Sequence, residues 1–78
     1  MARMSRREMN ELAEDREKCA ARCERNARSG REAAANPALS DTTRKQAATA
    51  AVFAQRHAQE YREEAAALRE GRMPGEDW

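Results

Sequence analysis

Residues 47–68 read AATAAVFAQRHAQEYREEAAAL, and the spacing within them decides the fold. Ala47, Ala51, Ala54, Ala58, Tyr61, Ala65 and Leu68 follow one another at alternating steps of four and three. That is the heptad stripe of a helix that packs along a second helix. The stripe is almost all alanine. Alanine lets helix axes approach closely, but each methyl it buries is worth only on the order of 0.8 kcal/mol, against roughly 1.5–3 for a buried Leu or Phe.

Leu39-Ser40-Asp41 opens this helix, with Ser40 as N-cap and Asp41 favourable against the helix dipole. Gly71 follows Glu70 as a left-handed stop. The spacing therefore predicts a helix over 40–70 and an irregular tail over 71–78. Upstream, Ser5-Arg6-Arg7-Glu8 is a capping box after a short lead, residues 1–4. Good helix formers continue to Ala35, with Glu14–Lys18, Glu24–Arg28 and Arg28–Glu32 at ion-pair spacing. A single glycine breaks helices weakly, so Ser29-Gly30 is expected inside an unbroken helix over 5–35. Asn36-Pro37 ends it, leaving a turn over 36–39.

The first helix carries its own stripe, which includes Met9, Leu12, Ala13, Arg16, Cys19, Ala20, Cys23, Ala27 and Gly30. Folding the chain back about Pro37-Ala38 pairs residues whose numbers sum to about 77 in antiparallel heptad packing. Met9 then meets Leu68, Arg16 lies on Tyr61, and Gly30 faces Ala47. Two stripes read separately agree in period and register. The expected fold is all-α: an antiparallel two-helix hairpin, an alanine-rich coiled coil, that dimerises into a four-helix bundle.

Dimerisation is expected because the core is thin. Of the 78 residues, 18 are alanine, and the larger apolar side chains are one Val, three Leu, four Met and one each of Phe, Tyr and Trp. Chains of this length rarely complete a core alone. Val52 and Phe53 point away from the alanine stripe, which marks them as contacts for a second copy or another protein. Met9, Leu12 and Leu68 at the open end, and Trp78 in the tail, complete the expected protein interface.

The charges nearly cancel, at a net +1 with 37% charged residues, which disfavours bulk nucleic acid or an anionic membrane as partner. Arg3, Arg6 and Arg7 form a small basic cluster, and Arg22, Arg25, Arg28 and Arg31 continue along the helix. Interleaved glutamates make a solvated, mixed-charge face the favoured reading over a phosphate-tracking one. No apolar run reaches membrane-span length. The N-terminus carries neither a secretory pattern nor a myristoylation glycine, so a cytoplasmic protein is expected.

Cys19 and Cys23 share one helical face, and the register brings His57, half-buried at the stripe's edge, beside Cys19. Two thiolates and an imidazole could ligate zinc, and a dimer could offer four thiolates to copper. Core filler is the favoured reading, since a structural zinc site normally shows a full ligand set. No metal or cofactor is expected. Glu60, Glu63 and Glu64 cluster near Tyr61, but acid–base catalysis needs a pocket that an alanine hairpin lacks. The alanine- and arginine-rich composition resembles that of small proteins from high-GC bacteria, their phages and mobile elements, though no motif marks a family. The expected function is a non-enzymatic protein-interaction module: an adaptor, inhibitor or regulator. A nucleic-acid-binding helical dimer and a metal-binding bundle are its alternatives.

Overall fold

The computed structural model describes residues 4–71; Arg3, Trp78 and the rest of the expected tail after Gly71 lie outside them. Within that span the chain forms two helices, α1 over Arg6–Ala34 and α2 over Asp41–Arg69. Each has 29 residues, which makes each about 44 Å long at 1.5 Å per residue. They run antiparallel and pack against each other along their lengths.

Each boundary has the cause expected from the local sequence. Ser5 Oγ accepts the Glu8 N–H at 3.1 Å, and the Ser5 N–H donates to Glu8 Oε1 at 3.3 Å, closing the capping box. α1 then runs through Ser29-Gly30 unbroken. In the turn, the Ala38 N–H donates to Asn36 Oδ1 at 3.0 Å and the Leu39 N–H to the Asn36 carbonyl at 3.2 Å. Asn36 thereby supplies acceptors for two turn N–H groups that lie outside either helix. Ser40 Oγ accepts the Thr43 N–H at 3.1 Å to start α2, and Gly71 adopts φ +87 just beyond its end.

The hairpin buries alanine at a seven-residue repeat on both helices: Ala13, Ala20 and Ala27 on α1, Ala51, Ala58 and Ala65 on α2. The register is the expected one. The Arg16 guanidinium carbon lies 5.9 Å from the Tyr61 ring centroid. A Cβ added at Gly30 would stand 2.9 Å from the Ala47 carbonyl oxygen and 2.9 Å from Ala51 Cβ. The two backbones therefore approach closely near the turn, and the larger side chains gather at the open end. There Met9, Ala13, Ala65 and Leu68 form the core cluster, with Met4 and Leu12 packed against it. Leu68 is the one large side chain among the described residues that is fully buried.

The surface charges are arranged differently from the expected pattern. Glu14–Lys18, Glu24–Arg28 and Arg28–Glu32 form no ion pairs among the described residues; Glu24 instead pairs with Arg62 across the hairpin. Close helix axes bring the flanking charges of the two helices together. Pairing across the seam then competes successfully with pairing along a single helix, which is worth only about 0.2–0.5 kcal/mol.

Candidate functional site

One edge of the hairpin is closed by polar rungs at seven-residue steps. Arg69 grips Glu17 with both arms, Nη2 donating to Oε1 at 2.7 Å and Nε to Oε2 at 3.2 Å. Arg62 pairs with Glu24 one heptad on, and Arg31 Nη1 donates to Gln55 Oε1 at 3.5 Å after another. The Arg69 hydrogen bonds hold the Glu17 carboxyl below its ordinary value of 4.5, against a smaller opposing effect of desolvation. On the other edge, Arg16 Nε lies 3.1 Å from Glu64 Oε2. Its N–H finds no hydrogen-bond acceptor, so this contact is ionic and misaligned. These contacts spend the inter-helix charges on holding the hairpin together.

The outward face of α2 has no such internal use. Val52 is 60% exposed and Phe53 51% exposed, in a molecule whose other large apolar side chains among the described residues are covered at least in part. Together they form a ridge with a groove on each side. An open groove of about 650 Å³ runs past Ala48, Val52, Gln55 and Gln59. A second, of about 430 Å³, lies between Lys45, Thr49, Ala50 and Phe53. The Arg56 guanidinium carbon sits 5.9 Å from the Phe53 ring centroid, so its charge lies over the ring and its stem extends the apolar strip. The ridge was legible as two large apolar residues off the stripe. The grooves were not, because they depend on the small side chains beside it and on Arg31 from α1.

The remaining expected site residues fall elsewhere. Met9 and Leu68 are buried inside the hairpin, and Leu12 is half-buried at the edge of their cluster. Cys19 and Cys23 are free thiols of intermediate burial. His57 is exposed, not half-buried as its position near the stripe suggested: the buried line follows Ala51, Ala58 and Ala65, which turns the residue before Ala58 outward. Among the described residues, no group of three or more His, Cys, Asp and Glu is placed to hold a metal ion.

In the basic cluster, Arg6 Nη2 donates to the Arg69 carbonyl at 2.6 Å, capping the C-terminal end of α2. Arg7 pairs with Glu11 at 3.4 Å. The sequence reading missed the Arg6 cap; its only signal was the register, which sets the start of α1 beside the end of α2. No helix among the described residues is long and apolar enough to cross a membrane.

The chain matches no protein-family model, and neither a curated protein nor a solved structure matches it.

Proposed function

We propose that this chain is a small, non-enzymatic protein-interaction module, an adaptor, inhibitor or regulator, acting in the cytoplasm through the outward face of α2. One observation carries the reading: Val52 and Phe53 are exposed side by side on a helix whose other face is already packed. Large apolar side chains paired on a polar surface cost solubility and contribute nothing to the hairpin, which is the signature of a face covered by another protein. The grooves flanking the ridge suit an incoming helix, whose side chains would enter them as its own ridge passes between.

The test is a photo-crosslinking residue placed at Val52 in the full chain, expressed in cells, beside a control at the exposed Arg25 on α1. A protein adduct at position 52 and none at 25 is the expected result. Equal labelling at both positions, or none at either, overturns the reading.

A further inference from the structure

The charge pattern of this same face identifies its occupant. Along the outward strip of α2, Lys45 stands N-terminal to the ridge, while Glu60 and Glu63 stand C-terminal to it. The strip thus carries one lysine at one end and two glutamates at the other, with Arg56 at the ridge between them, its guanidinium over the Phe53 ring. Lys45 and Glu60 make no ion pair among the described residues, and Glu63 only accepts an amide hydrogen bond from Gln59 at 3.2 Å. A second copy of α2 laid parallel would set Lys45 on Lys45 and Glu63 on Glu63. Laid antiparallel, the same strip is its own complement.

We infer that the outward face of α2 binds a second copy of this chain, α2 against α2, antiparallel about a two-fold axis near Phe53-Ala54. The inference rests on the reading of that face as an interaction surface and names its partner. The axis follows from helical spacing. It brings Lys45 of one copy to Glu63 of the second and, by symmetry, Glu63 to Lys45. Phe53 then lies against its own mate near the axis, and Val52 covers the aliphatic stem of Arg56 of the second copy. Each ridge enters a groove of the other, because the two surfaces are identical and each offers both shapes. The helix dipoles also oppose one another in this arrangement. The result is a four-helix bundle with the two α2 helices at its centre, adding apolar cover where each hairpin has little.

Sedimentation equilibrium of the full chain tests this through a charge-swap cycle. Wild type is expected to dimerise. Lys45→Glu and Glu63→Lys, each placing like charges at both symmetric ends, are each expected to raise the dimer dissociation constant about tenfold. The double swap, Lys45→Glu with Glu63→Lys, is expected to return it to within about twofold of wild type. Phe53→Asp is expected to give a monomer with unchanged far-ultraviolet circular dichroism. A wild type that stays monomeric at high concentration overturns the inference, as does a dimer whose double swap shows no recovery. Either result leaves the interaction reading to be judged by the Val52 crosslink alone, so the two failures are separable.

Discussion

Gly30 shows how one missing atom can set the distance between two helices. It lies inside α1 about one turn from its C-terminal end, where glycine costs up to about 1 kcal/mol relative to alanine, and it sits where a Cβ would press on the Ala47 carbonyl and on Ala51. Backbone cannot yield as a flexible side chain does. Gly30→Ala is therefore expected to destabilise the hairpin by a net of roughly 1–2 kcal/mol, despite the helix-propensity gain. Ser29→Ala, at the exposed neighbour, is expected to be neutral or stabilising. Urea unfolding followed by circular dichroism checks both; a stabilised Gly30→Ala would mean that the close approach is absent. The residue type alone read as a weak breaker. Only its alignment opposite Ala47, visible once two stripes were compared, suggested a contact.

At the scale of the elements, both helices were legible because local chemistry delimits them: a capping box at Ser5, Asn36-Pro37, a serine cap at Ser40 and Gly71. What holds one helix to the other was less so. The rungs Glu17–Arg69 and Glu24–Arg62 join residues on opposite sides of the turn, and nothing local distinguishes Glu24 waiting for Arg62 from Glu24 waiting for Arg28. The choice depends on how near the helices come. Because Glu17 is held below its ordinary value of 4.5, its contribution is fully present above that pH and is lost as the pH falls through the depressed value. The pair is half-exposed, so solvent screens it and the effect is small. Urea midpoints are expected to drop modestly from pH 6 to pH 3, and Glu17→Gln is expected to lessen the drop. An identical pH dependence in the variant would show that the rung contributes nothing.

For the whole molecule, the limiting quantity is apolar cover. An alanine seam makes a long, well-registered contact and a weak one, and the cluster at the open end compensates only in part. Since Leu68 is the one large side chain fully buried among the described residues, Leu68→Ala is expected to cost about 2–4 kcal/mol. That is a large share of the roughly 4–12 kcal/mol available to a domain of this length. Thermal melting by circular dichroism should show a marked fall in midpoint; a change of only a degree or two would place the core elsewhere. The same thinness gives the exposed Val52–Phe53 ridge its meaning, since a hairpin so short of apolar groups would have no cause to leave two of them outside.

Two helices, their ends, their antiparallel order and their register are all readable along the chain, because each is written in short-range chemistry or in a period that repeats along one helix. The sequence also marked Val52 and Phe53 as lying off the packed stripe. Tertiary structure alone decided which charges meet across the seam, that Arg6 caps the far end of α2, that His57 faces outward, and that the ridge is bordered by grooves. Those features depend on the distance and rotation between two surfaces. Small side chains set both, through how close they allow the backbones to come.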